Sequence, residues 1–287
     1  VETAQERPDL SFIILTWNSD RYLRDCFESL LNKMNNERIS FEIIVVDNGS
    51  HDTTRQIIEQ FQSEYGSRFI LIQLDSNRGT TYPRNLGLSQ ARGTYICILD
   101  SDTEFGEGSI TLLLQRLGGD RTVGIIAPRL LLPDGTTQHS VKRFPTMLNK
   151  LLKVPRILFG LQTAHADFYG DFPFRDPRVV ETAISACWFF RRDLIDAVGY
   201  LDEKIFYAPE DLDYSQRVWR AGFSILYYPP VTVLHHTQQI THKRPLSRTS
   251  LSHLWGLLYY FSKHGGWISS DPVRRVLQNQ RQVEQRP

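Results

Sequence analysis

Leu10-Ser11-Phe12-Ile13-Ile14-Leu15-Thr16 runs directly into Trp17-Asn18-Ser19-Asp20, an apolar run without a polar face followed by a polar turn. That profile predicts a β-strand buried on both sides, as the strands of a parallel sheet are, with a helix starting at the turn. Leu23, Phe27, Leu30, Leu31 and Met34 then place one apolar stripe along that helix, with Ser19 or Asn18 as its cap. The pattern repeats downstream. Phe41 to Val46 reads as a second buried strand ending in Asp47-Asn48-Gly49-Ser50, and Ile57, Ile58 and Phe61 mark a short helix. Phe69 to Leu74 reads as a third strand, Arg84 to Ala91 as a helix, and Thr94 to Leu99 as a fourth strand closed by Asp100-Ser101-Asp102. Such alternation predicts an α/β fold, a mostly parallel sheet covered by helices, with ligands in the crevice at the strand carboxyl ends.

Further along, a helix is expected near Ser109 to Leu117 and a strand near Gly124 to Ala127. Between Arg129 and Pro177 periodicity fades into Pro, Gly and aromatic residues, which predicts loops and an acceptor-side subregion. Order returns with Ala183 to Arg191, a helix near Asp193 to Val198, a helix starting near Asp211 and a strand from Ser224 to Tyr228.

The 33 Lys+Arg and 32 Asp+Glu residues leave a net charge of +1, which gives no electrostatic reason to expect a nucleic-acid partner. The charge is unevenly placed. From His235 to Pro287 there are eight Lys/Arg against two Asp/Glu, leaving −5 for the rest of the chain, so a basic C-terminal tail suits peripheral contact with an anionic membrane surface. Cys26, Cys97 and Cys187 lie far apart in apolar surroundings, read as buried free thiols and favour a reducing, cytoplasmic location. No apolar run approaches the roughly 20 residues that span a bilayer. The chain as given is therefore expected to be soluble, possessing no signal-peptide pattern after Val1.

Several polar clusters end the predicted strands. Alternation along a strand points Asp100 and Asp102 the same way, and two carboxylates there make a hard oxygen site for Mn²⁺ or Mg²⁺. Asn18 and Asp47 close the first two strands, where a base and ribose could be hydrogen-bonded. Asn77 to Asn85 carries Arg78 and Arg84 on a loop leading into a helix start, a suitable place for phosphate oxygens. Glu210-Asp211-Leu212-Asp213 opens a helix with Leu212, Val218 and Trp219 on its apolar face and with Asp213 and Arg217 placed to pair at i, i+4. One of its acids suits a general base. His235-His236 offers a third metal ligand.

Taken in order, Ile14 to Asn18, Val45 to Asp52, Arg84 to Gly87, Ala91 to Ile96, Leu99 to Asp102 and Glu210 to Asp213 resemble family 2 glycosyltransferases of the GT-A fold. Ser185 to Trp188, Val198 to Asp202, Val233 to His236 and Tyr259 to Gly265 look most like its rhamnosyltransferase-type branch. The resemblance implies a Rossmann-like central sheet in a domain over residues 10–265, after an N-terminal extension (1–9) and before the basic tail (266–287). Within it, 10–127 would bind the nucleotide sugar, 128–240 would form the acceptor and catalytic half, and 241–265 a C-terminal helix. Thr16, Asn18 and Asp47 would hold the nucleoside, Asp100 would lie by the ribose and metal, Asp102 would ligate the metal, and Asp211 would be the catalytic base. Of the two histidines, His236 matches the family's late histidine, and the donor site would also take in Arg78, Arg84, Ser101, Trp188 and Glu210. Trp17 stands where relatives more often carry Tyr, and Thr237-Gln238-Gln239-Ile240 departs from their Gly- and Ser-containing loop.

The implied reaction is transfer, with inversion, of a sugar from a UDP- or dTDP-linked donor to a hydroxyl of a growing glycan or glycolipid. A sugar nucleotidyltransferase would need a glycine-rich N-terminal loop that this sequence lacks. A catalytically silent glycan-binding module would be expected to lose the acids that are present here.

Overall fold

The computed structural model describes residues 7–152, 167–237 and 248–268. A nine-stranded sheet has the order β3-β2-β1-β4-β10-β6-β11-β5, with β8 also on β11. Its first four strands, β1 (Leu10–Thr16), β2 (Phe41–Asp47), β3 (Phe69–Gln73) and β4 (Tyr95–Asp100), are parallel. Because their apolar runs are continuous, both faces are buried. Leu10, Phe12 and Ile14 pack with α1 (Asp20–Asn35), α2 (Thr54–Tyr65) and α4 (Ile110–Gly119) on one side. Ile13, Ile44 and Ile98 pack on the other, with α3 (Thr81–Gln90), α6 (Asp193–Val198) and α7 (Glu210–Arg220). This is the three-layer α/β arrangement expected of the GT-A fold.

The chain leaves β1 toward β2 and β3 and then returns to β4 on the other side of β1, so a topological switch point lies between the ends of β1 and β4. β10 (Cys187–Arg191) runs antiparallel to β4, and the Asp100 N–H donates to the Ala186 carbonyl at 2.9 Å. This brings the segment before β10 to the mouth of the switch point. Beyond it, β6 (Val123–Leu131) and β11 (Ser224–His235) are parallel to each other, with β8 (Arg178–Val180) antiparallel to β11.

Three differences from the sequence reading have local causes. The strand expected to stop at Tyr228 continues to His235, since Pro229 and Pro230 sit in a register shift between Tyr228 and Thr232 instead of ending the strand. A short β5 (Thr103–Phe105), not expected from so brief a run, pairs antiparallel with the end of β11. α3 begins at Thr81, with Pro83 in its first turn, where a missing N–H costs little. The irregular region contains β7 (Val141–Lys142), paired with β9 (Thr182–Ala183), and α5 (Met147–Leu152). Residues 1–6, 153–166, 238–247 and 269–287, which include parts of the expected acceptor-side subregion, the Thr237 to Ile240 segment and the basic tail, lie outside the described residues.

The C-terminal helix α8 (Arg248–His264) docks on α7. Tyr260 and Phe261 pack with Leu212 and Met147, and the Tyr260 hydroxyl donates to Gln216 Oε1 at 2.7 Å. The expected Asp213–Arg217 pair forms at 2.9 Å, and Asp213 also accepts from Lys263 Nζ and His264 Nε2, each at 2.7 Å. Burial opposes ionisation of Asp213, but the His264 hydrogen bond, the Arg217 charge and Lys263 outweigh it and hold its pKa well below the carboxylate range. A depressed carboxylate pKa contributes stability that is present above the unfolded value, about 3.9, and is lost as pH falls through the folded value. Asp213→Asn is expected to cost about 3–5 kcal/mol, since it removes the buried carboxylate that Arg217, Lys263 and His264 share. Denaturant titrations of both proteins between pH 6 and pH 3 should show a flatter pH dependence in the variant.

Candidate active site

A cleft of about 810 Å³ opens at the carboxyl ends of β1 and β4. Its floor is a charged network built around Arg84, which α3 carries inward: the guanidinium contacts Asp100 at 2.6 Å, Glu210 at 3.0 Å and Ser185 Oγ at 2.9 Å. The arginine is 2% exposed. Burial and the neighbouring Asp211 carboxylate push the Glu210 pKa up to about 7 despite the Arg84 contact. Burial likewise raises Asp100 above the usual carboxylate range, with Asp102 adding to it and Arg84 and His235 opposing.

Asp102 and His235 complete the floor. Asp100, Asp102 and His235 each offer a ligand atom, and these atoms lie within 4.8 Å of one another, close to the roughly 4.4 Å that two bonds of about 2.2 Å can span. The Asp102 Oδ1 lies 3.5 Å from His235 Nε2. On its far side, His235 Nδ1 is 2.8 Å from Gln138 Oε1. An amide oxygen only accepts, so Nδ1 carries a proton, and in the neutral ring the Nε2 lone pair faces the aspartates. Burial works against a charged His235, yet the hydrogen bond and charge of Asp102, reinforced by Asp100, raise its pKa above the ordinary imidazole value.

The assignment of His236 to the metal group is corrected by this geometry. Its Nε2 hydrogen-bonds Glu104, and its ring stacks on Tyr22 at 4.9 Å. His235 is the last residue of β11, opposite Thr103 of β5, and faces the aspartates. Trp188 is corrected too. It is fully buried in β10, where it stacks on Tyr214 and packs in the core behind the sheet, while its neighbours Cys187 and Phe189 face the opposite cluster.

The expected phosphate loop is partly occupied by protein, although Asn77, Gly79 and Thr80 line the cleft. The Thr80 N–H donates to the Phe206 carbonyl at 2.7 Å, and the Thr80 and Thr81 hydroxyls donate to Tyr207 and Ile205 carbonyls. A Cβ on Gly79 would lie 2.0 Å from the Phe206 oxygen, so only glycine permits the approach. Arg78 lies outside the cleft with its guanidinium over the Tyr82 ring, and Arg84 is committed to two carboxylates.

Thr16 and Asp47, neither of them among the cleft-lining residues, are opposite each other on β1 and β2. Both are buried, and Thr16 Oγ1 and Asp47 Oδ2 have no hydrogen-bond partner, an unsatisfied pair beside the cleft residues Leu15, Trp17 and Asn48. Asn18, at φ 48°, accepts the His51 N–H at its side-chain oxygen and donates its own N–H to Ser50 Oγ, so it joins the two turns. Ser19 does not cap α1 through its side chain, as expected from sequence, but meets Ser101 Oγ at 2.9 Å in the cleft. Asp211 lines the cleft at the start of α7; its Oδ1 accepts the Leu212 N–H at 2.8 Å, and no described residue hydrogen-bonds Oδ2. Gln138, Ser185 and Tyr207 also line the cleft. Of these only Ser185 fell within a recognised motif, since the other two lie in aperiodic loops.

Comparison with known proteins places this geometry in a family. The profile of "Glycosyl transferase family 2" matches residues 11–199. An N-acetylglucosaminyl-diphospho-decaprenol L-rhamnosyltransferase of Mycobacterium tuberculosis is 25% identical over 254 residues, 82% of this chain and 79% of that protein. The crystal structure of S. aureus TarS aligns with 95% of this chain and 42% of its own, with a TM-score of 0.58 and 18% identity. That of GalNAc-T7 with UDP, GalNAc and Mn²⁺ aligns with 96% of this chain and 54% of its own, at a TM-score of 0.65 and 13% identity. At those identities the two structures speak for the fold alone. The profile covers well over half of the sequence, and the chain belongs to glycosyl transferase family 2.

Proposed function

We propose that this glycosyltransferase is metal-dependent and inverting, and that it transfers a sugar from a UDP- or dTDP-linked donor to a hydroxyl of a glycan or glycolipid at the cytoplasmic face of a membrane. The observation that carries the metal dependence is the charge of the cleft. Asp100, Asp102, Glu210 and Asp211 line it, and among the described residues Arg84 is the one lining Lys or Arg, so an anionic diphosphate would meet net negative charge without a cation. The ligand set of two carboxylates and an imidazole fits Mn²⁺ or Mg²⁺, and the imidazole favours Mn²⁺.

Thr16 and Asp47 supply the buried, unpaired oxygens that would receive the base. Trp17, half-exposed at the rim, gives an aromatic wall. Asp100, Asp102 and His235 would hold the ion, whose contribution when bound is to neutralise the diphosphate as it departs. Asp211, at the cleft edge with Oδ2 open, takes the proton of the acceptor hydroxyl as that oxygen bonds to the anomeric carbon. The bond from that carbon to the diphosphate oxygen breaks with its electron pair going to the nucleoside diphosphate. Attack from the face opposite the leaving group inverts the anomeric centre. Glu210, locked by Arg84 and Ser185, is the less suited base and instead fixes the helix start from which Asp211 projects.

The mycobacterial relative, whose name specifies a polyprenyl-diphosphate acceptor, supports a lipid-linked acceptor here. Thermal unfolding with UDP or dTDP is expected to show a midpoint rise with Mn²⁺ that chelator removes. A midpoint indifferent to every nucleoside diphosphate would overturn the proposal.

A further inference from the structure

Eleven large apolar side chains are exposed among the described residues, and six of them lie in two segments: Leu148 and Leu151 of α5, Leu254 and Trp255 of α8, and Trp267 and Ile268 just after it. Trp255 is 71% exposed and Ile268 78%. The two segments are joined, because the Met147 and Leu148 N–H groups donate to the Gly266 and Trp267 carbonyls at 3.0 and 2.9 Å. Met147 also packs with Tyr260 and Phe261. α8 therefore turns one face to α7 and carries Leu254 and Trp255 outside it.

Charge identifies what would cover this surface. The described stretches 135–152 and 248–268 contain Lys142, Arg143, Lys150, Arg248 and Lys263 and no Asp or Glu. Lys263 is committed to Asp202 and Asp213, so the charge that these two stretches themselves contribute beside the apolar side chains is basic only. The sequence continues that balance through Lys153, Arg156, Lys243 and Arg244. Protein interfaces are depleted of charge at their cores. Exposed tryptophan, leucine and isoleucine among lysine and arginine alone instead match the headgroup and acyl boundary of an anionic bilayer. No described helix is long and apolar enough to cross a membrane, so the fit is to lying on the surface.

The position relative to the cleft gives the contact a use. Gly256, next to Trp255, packs so closely on Ala208 that a Cβ there would lie 2.1 Å from the Ala208 carbonyl oxygen, and Ala208 lines the catalytic cleft. We infer that the face formed by α5, α8 and residues 266–268 docks on an anionic lipid surface through Trp255, Trp267, Ile268 and the α5 leucines, and so holds the cleft about one helix diameter, roughly 10 Å, from the headgroups. This deepens the lipid-linked acceptor reading and rests on it for its purpose, but its test needs no catalysis.

The experiment is co-sedimentation of this chain with vesicles of phosphatidylcholine alone or with added phosphatidylglycerol, at low and high salt. Binding is expected with the anionic vesicles and should weaken with salt. Trp255→Ser and Ile268→Ser should each lower the bound fraction on the order of tenfold, with the unfolding midpoint and its response to UDP unchanged. Absence of binding to anionic vesicles, or binding that neither substitution reduces, would overturn the inference. So would a self-association that the same substitutions abolish in a protein that ignores vesicles. Intact nucleotide stabilisation beside failed vesicle binding would sink the docking surface and leave the transferase reading standing; vesicle binding without nucleotide stabilisation would do the reverse.

Discussion

Asp211→Asn is expected to lower transfer by about 10²–10⁴-fold, the usual contribution of a positioned general base, while nucleoside diphosphate and Mn²⁺ still raise the unfolding midpoint as in the parent. The amide is nearly isosteric and keeps an oxygen to accept the Leu212 N–H, so the start of α7 should not move. What it loses is the capacity to take a proton from the acceptor. The contrast with Glu210 makes the test specific. Glu210→Gln weakens a buried contact with Arg84 and Ser185 and should lower stability as well as activity, whereas Asp211→Asn should lower activity alone. Turnover by Asp211→Asn within a few-fold of the parent would remove Asp211 from the base role.

Asp102→Ala is expected to abolish the metal-dependent part of nucleotide stabilisation. Asp100, whose Oδ1 is already held by Arg84 at 2.6 Å, and His235 then leave only two side-chain ligands, too few for a hard cation. A graded version is available in Gln138→Ala, which leaves the three ligands in place but frees the His235 ring that Gln138 orients. Loss of an orienting partner typically costs 10–100-fold in metal affinity, so Gln138→Ala should shift the Mn²⁺ titration of the UDP-dependent midpoint by about that factor. If Asp102→Ala titrates with Mn²⁺ like the parent, the ion is held elsewhere.

The alternation of strands and helices was legible because each buried parallel strand needs an apolar run with no polar face, and the polar clusters that interrupt those runs fall at strand ends. Leu10 to Thr16 and Phe41 to Asp47 are of this kind. Less legible was the C-terminal part of the sheet. The strand expected from Ser224 to Tyr228 runs on through Pro229-Pro230 with a shift in register, since tertiary pairing to β6 and β5 supplies what the prolines cannot. Asp213 illustrates the same limit: the i, i+4 partner Arg217 follows from helix geometry, whereas Lys263 and His264 arrive from 50 residues or more away.

By itself the sequence determined the α/β class, the order of the first four strands and helices along the chain, the placing of Asp47, Asp100 and Asp102 at strand ends, and the family. Only the tertiary structure decided which neighbours face the cleft. His235 rather than His236 meets the aspartates, Trp188 turns into the core while Ser185 lines the cleft, and Arg84 is drawn beneath Asp100 and Glu210. The reason is that successive side chains on a strand point to opposite faces, so a one-residue difference in register exchanges cleft for core, and register is set by the partner strand.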